Sequence, residues 1–125
     1  MAECRLIRGG EGFHGKQGLD YLGGVSAESV GATGICMHIL EMPPGATAKA
    51  HYHEAHETAI FVLEGVAEMR HGRGLEDVMR LEPGDFVYIP PGVVHQPYNP
   101  GDAAVRAVIA RTDPNEQESV VVVGD

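Results

Sequence analysis

Four of the seven histidines, His51, His53, His56 and His95, fall in two short segments, each directly beside a run of strand-forming residues. His51 and His53 stand at i and i+2, so in an extended chain both imidazoles leave the same face of a sheet and their nitrogens can share one ion. A lone His-x-His pair is commonplace on protein surfaces, and only a further histidine arriving from a separate segment turns it into a candidate metal centre. His95 is that residue. No glycine-rich phosphate loop opens a helix after a strand, and no Gly-x-Ser-x-Gly elbow occurs, so nucleotide and nucleophilic serine chemistry have nothing to run on. Cys4 and Cys36 lie far apart without metal-ligand spacing and read as reduced thiols.

The elements that must position these rings are strands. From Gly34 onward, short apolar runs alternate with turn signals and none keeps a helical period. The runs predict strands over residues 35–42, 46–53, 58–63, 66–70, 77–81, 86–90, 104–112 and 120–123. The breaks between them have a mechanism: Pro43-Pro44-Gly45, Glu82-Pro83-Gly84 and Pro90-Pro91-Gly92 combine the fixed φ of proline with the positive φ glycine tolerates. With 17 Gly and 8 Pro in 125 residues, the pattern is that of an all-β domain, a jelly roll or closed barrel. Residues 9–24 are glycine-rich and weakly patterned and read as loop or arm. The expected layout is an N-terminal arm, 1–30, packing on a barrel, 31–125. Phe61, Phe86 and Tyr88 are expected in the core and His38 on the barrel wall, while His14 and His71 sit in glycine-rich loops. Asp113-Pro114-Asn115-Glu116 reads as a turn, with Glu116 and Glu118 on a solvated face. The hydrophobic run 120–123 is expected at a sheet edge, where pairing with a second copy would give a homodimer.

Charge narrows the partners. Eighteen acidic residues against 9 basic ones give a formal net charge of -9, which repels phosphate backbones and anionic lipid surfaces. Neither nucleic acid nor a membrane is expected as a partner. No apolar run approaches a membrane span, and residues 1–10 carry charges where a secretory segment needs unbroken apolar residues, so the expected location is the cytoplasm.

Gly84, Pro90, Gly92, His95 and Asn99 form a strand, turn and histidine unit whose spacing resembles the second motif of the cupin superfamily at every defining position, Asn99 included. Gly45, His51, His53 and the closing Gly65 are similar to its first motif. The resemblance implies a double-stranded β-helix barrel holding one divalent transition-metal ion through His51, His53 and His95. It also implies an acidic fourth ligand. Seven residues before Gly65 stands Thr58, and four after His53 stands Glu57; neighbouring strand residues point to opposite faces, so both turn inward only if the strand carries a bulge. Glu57 is the expected fourth ligand, with His56 or water as alternatives. Imidazoles with one carboxylate suit Fe, Mn, Ni or Zn rather than Ca or Mg.

Further groups near the ion are implied at Tyr52, Thr58, Gln96 and Tyr98, and Glu57 and Tyr98 are the expected catalytic residues, shuttling a proton. Single-domain cupins of this kind include a group labelled mannose-6-phosphate isomerase-like, alongside dioxygenases and decarboxylases. A phosphosugar dianion needs cations, and the nearest to the histidine pair in sequence is Lys49. The expectation is therefore an oxygenase or lyase acting on a small carbonyl- or carboxylate-bearing substrate, with a sugar-phosphate isomerase ranked below it. The alternative is a non-catalytic cupin that binds a small ligand or sugar.

Overall fold

The computed structural model describes residues 3–8, 12–115 and 120–123, so Glu116 and Glu118 lie outside the described residues. The elements are β1 (Gly12–His14), β2 (Asp20–Val25), a short helix α1 (Ala27–Val30), β3 (Cys36–Met42), β4 (His51–His53), β5 (Thr58–Glu64), β6 (Ala67–His71), β7 (Asp77–Leu81), β8 (Phe86–Ile89), β9 (His95–Tyr98), β10 (Val105–Arg111) and β11 (Val120–Val122). They form two antiparallel sheets, one ordered β1-β2-β3-β10-β5-β8 and the other β11-β4-β9-β6-β7. This is the all-β double-stranded β-helix that the sequence predicts.

The two-residue period of each strand divides its side chains between interior and exterior. In β10, Val105, Ala107, Ile109 and Arg111 are buried while the residues between them are not. Their cross-strand partners continue the inner rows: Ala107 stands between Leu40 and Val62, Ile109 between His38 and Ile60, Arg111 between Cys36 and Thr58. Met42 and Met69 complete the core with Leu81, Val87 and Ile89. Fully burying a side chain of this size contributes about 1.5–3 kcal/mol, so the barrel has a packing source of stability separate from any ion.

The turns bring separate segments into register. Gly65, between β5 and β6, has φ of +80°, and a Cβ there would lie 2.8 Å from the Cα of Val105. Only glycine fits. Beyond β9, the buried Asn99 donates from Nδ2 to the carbonyls of Met42 at 3.0 Å and Ala103 at 2.8 Å, and its Oδ1 accepts from the Gly101 amide at 3.0 Å.

Several expectations are corrected. Residues 9–24 are not all loop: β1 and most of β2 come from this stretch and extend the larger sheet beyond β3. Leu19 and Tyr21 are each only 4% exposed and anchor it, while Gly23 and Gly24 blur the alternation where β2 shifts register against β3. His14 and His71 end strands rather than occupy loops. Phe86 and Tyr88 are not core residues but 81% and 60% exposed, because the pleat of β8 gives the interior to Val87 and Ile89. Phe61 is half-buried and packs against Phe86 with ring centroids 4.7 Å apart and the planes tilted by 49°. β9 lies outside the predicted runs and is a strand although it contains Pro97, whose carbonyl accepts from the Ala48 amide. The run 120–123 supplies the outermost strand, β11, which pairs with β4 of its own chain.

Candidate metal centre

His51 and His95 face each other directly in the β4–β9 pairing, and His53 follows His51 on the same inner face. A hydrogen bond of 2.7 Å from the Gly92 amide to the His53 carbonyl ties the turn that precedes His95 to β4. The three rings are buried, at 2%, 2% and 3% exposure for His51, His53 and His95. One ligand atom from each lies within 4.8 Å of the others. Ring centroids are 4.3 Å apart for His51 and His95, 5.2 Å for His51 and His53, and 5.4 Å for His53 and His95.

Hydrogen bonding sets the tautomer of two of these rings. Nδ1 of His51 lies 2.6 Å from the Lys49 carbonyl, and Nδ1 of His95 lies 3.0 Å from the Val93 carbonyl. A carbonyl only accepts, so each Nδ1 carries the proton and donates it, which leaves Nε2 with its lone pair available to an ion. Burial keeps the rings neutral. Desolvation is the largest cause for all three and lowers the pKa of His51 to about 3, His53 to about 2 and His95 to about 4. Three buried, neutral, convergent imidazoles are a donor set that fits a divalent transition metal of borderline softness.

Glu57 is not brought to this group. No register shift interrupts β5 at its start, so buried Thr58 takes the inward position and Glu57 the outward one. The exposed Glu57 carboxylate accepts a 2.8 Å hydrogen bond from the Tyr88 hydroxyl instead. His56 is buried at 2% exposure, with its ring centroid 4.5 Å from that of His53 and its Nδ1 3.6 Å from an Asp113 carboxylate oxygen. It borders the three histidines without joining the coordinating group.

The other expected neighbours also divide by the pleat. Tyr98 is three residues from His95 and faces away from it; its hydroxyl donates to Glu68 at 2.7 Å, and Arg70 lies 4.8 Å over its ring. Tyr52 lies between the inward His51 and His53 and is half-buried opposite Val121. Gln96 donates to the Ala48 carbonyl at 3.1 Å. Thr58 and His38 do turn inward, at 2% and 1% exposure.

Sequence reasoning missed Arg111. It is 6% exposed, on the inner face of β10, with its guanidinium 5.8 Å from the centroid of the buried Tyr21 ring. Its positive charge helps hold down the pKa of His38, His51, His53, His56 and His95. The signal was available in the alternation Val105, Ala107, Ile109, Arg111, which places the arginine in the inward series.

Comparison with known proteins agrees with this architecture. Residues 38–111, more than half of the chain, match the family described as the cupin domain. No curated protein matches. Among solved structures, a sugar phosphate isomerase of the cupin superfamily from Silicibacter pomeroyi is 21% identical with a TM-score of 0.67, covering 87% of this chain and 75% of that one. An oxalate oxidase in complex with glycolate is 20% identical with a TM-score of 0.68, covering 78% of this chain and 52% of that one. An oxalate decarboxylase is 18% identical with a TM-score of 0.71, covering 86% of this chain and 29% of that one. The match spans 66% and 64% of the length of two further similar structures. At these identities the likeness is one of fold. With paired antiparallel sheets, inward histidines from two segments and a matching domain over most of the strands, the chain belongs to the cupin family.

Proposed function

We propose that the protein is a metal-dependent enzyme in which His51, His53 and His95 hold one divalent transition-metal ion, Fe, Mn, Ni or Zn, and that it acts on a small carbonyl- or carboxylate-bearing substrate by oxygenase or lyase chemistry. The observation that carries this reading is the convergence of three buried imidazoles. Bound there, such an ion would supply Lewis acidity, or redox chemistry if it were iron or manganese. A set of three protein ligands leaves coordination positions for small molecules, unlike a closed four-ligand structural site.

The chain's own residues prepare the site. The carbonyls of Lys49 and Val93 orient two rings, and all three rings are buried from solvent. Oxalate oxidase and oxalate decarboxylase among the similar structures are in keeping with this class, and the similar sugar phosphate isomerase keeps isomerisation as the lower-ranked reaction. Catalysis by Glu57 or Tyr98 is not part of the proposal, since both point away from the histidines. A cytoplasmic location and a homodimer belong to the same reading. β11 is the outermost strand of its sheet, open on one side to a second copy; a monomer mass in light scattering at micromolar concentration removes the dimer.

The test is elemental analysis of the purified protein, followed by stripping and restoring each metal while screening small keto acids, diketones and sugars and following oxygen uptake. Turnover that tracks the metal supports the enzyme. Metal binding without turnover on any compound leaves a ligand-binding cupin, and failure to bind any of the four metals removes the centre itself.

A further inference from the structure

The outer face of the larger sheet is apolar where contact with water favours polar residues. On it Leu22, Ile39, Val108, Phe61 and Phe86 stand opposite one another in a single rung that crosses β2, β3, β10, β5 and β8. Two positions along β3, Val25, Met37, Ala110, Ala59 and Tyr88 form a second rung. An antiparallel sheet with one face in water alternates apolar with polar residues, yet at these positions the strands are apolar on both faces. A third rung, Asp20, Glu41, Arg106 and Glu64, is charged and closes the patch at one end, with Arg106 bridging Glu41 at 3.2 Å and Glu64 at 3.8 Å. At the other end the Tyr88 hydroxyl bonds Glu57. An apolar centre within a polar rim is the anatomy of a protein interface.

The two halves of this face differ in shape. On the β8 side Phe86 stands out into solvent. On the β2 side a cavity of about 440 Å³ opens between the chain at Arg5, Leu6 and Ile7 and a floor that includes Leu22, Gly23 and Ile39. Gly23 has no side chain to fill it. β2 and β8 lie two strands to either side of β10, so the projecting ring and the cavity are at mirrored places on one rung.

We infer that a second copy of the chain docks on this face, in a face-to-face dimer whose two-fold axis runs along β10 and which sets Phe86 of each copy into the cavity beside Leu22 of the other. Rotation about that axis carries β8 of one copy over β2 of the other. It also brings Asp85, next to Phe86 in the chain, toward Arg5 at the cavity, a charge match that β8 lying over β8 lacks. At roughly 200 Å² for a large side chain, the exposed parts of Leu6, Met37, Phe86 and Tyr88 and the half-buried remainder come to the order of 700 Å² a copy, close to the ~800 Å² a specific interface buries per partner. The inference rests on the homodimer of the proposed function and moves its interface from the edge of β11, a strand of only three residues, to this face.

The experiment measures the mass of the full chain by sedimentation equilibrium at micromolar concentration, as wild type and as Phe86→Glu. The wild type is expected at twice the chain mass, with the dissociation constant of Phe86→Glu raised about thirtyfold or more and its β-sheet circular dichroism unchanged, since an exposed ring does not hold the fold. The arrangement is read separately by thiol cross-linking in a Cys4→Ser background, where the remaining Cys36 is buried. Chains carrying Leu22→Cys mixed with chains carrying Phe86→Cys are expected to link through a short bismaleimide, while Phe86→Cys alone does not link, its two thiols being four strand spacings or about 19 Å apart. A Phe86→Glu dimer as tight as the wild type overturns the inference and returns the interface to the β11 edge, and so does linkage of Phe86→Cys to itself as fast as to Leu22→Cys. A wild-type monomer overturns this inference and the homodimer together, and leaves the metal reading intact.

Discussion

His51 and His95 occupy one rung of the pairing between β4 and β9, and each turns its Nδ1 to the carbonyl two residues before it in the chain, that of Lys49 and that of Val93. The two strands thus present matched rings, oriented before any ion arrives. Because no long side chain has to be recruited for this, the site is part of the sheet.

Substituting either ring should therefore remove the metal without unfolding the protein. His51→Ala and His95→Ala are expected to lose stoichiometric metal in elemental analysis while keeping the β-sheet circular dichroism of the wild type, since none of the three histidines belongs to the hydrophobic core that includes Met42, Val62 and Ile109. Small zinc domains, by contrast, unfold without their ion. Unfolding of both variants at room temperature would show that the ion is structural.

The metal-free protein should weaken as the pH falls below 6.5. Burial lowers the histidines from 6.5 to about 3 for His51 and about 4 for His95. Between those values and 6.5 the unfolded chain binds more protons than the folded one, so stability rises with pH across this window and is fully present above it. Each such ring contributes a slope of up to about 1.4 kcal/mol per pH unit. Urea denaturation of stripped protein at about pH 7.5, 6 and 5 measures it, and a flat profile would mean that the rings protonate without penalty in the folded state.

Glu57→Gln should leave metal stoichiometry and affinity unchanged, within about twofold, because the carboxylate bonds Tyr88 at the surface and faces away from the three rings. Loss of metal in this variant, measured by competition with a chromophoric chelator, would restore Glu57 as a ligand and require β5 to bulge at its start.

Glu57 also shows where the sequence stops being legible. Most strands of the barrel and the three histidines could be read because turn residues and an i, i+2 spacing are local signals that the fold obeys. Whether Glu57 or Thr58 turns inward depends on the presence of a bulge, a property of the pairing with β10 that no single strand reveals. Residues 9–24 were obscured for the opposite reason: Gly23 and Gly24 contribute no side chain to the alternation, although Tyr21, at 4% exposure, belongs to the core. Arg111 was hidden by its type, since a charged residue ending an apolar run is ordinarily taken as the edge of the core. Only the facing sheet shows that the interior there is polar.

Asn99 separates the fold from the site. Its amide serves the carbonyls of Met42 and Ala103 and the amide of Gly101, fastening the end of β9 to the end of β3. Replacing it by Ala strands a buried carbonyl and loosens the turn, for an expected loss of about 2–3 kcal/mol in denaturant unfolding. It stands four positions beyond His95, about 13 Å in extended chain, so metal affinity of the folded variant should match the wild type. A stability change under about 0.5 kcal/mol would mean that water replaces the amide and that the motif asparagine does not hold this corner.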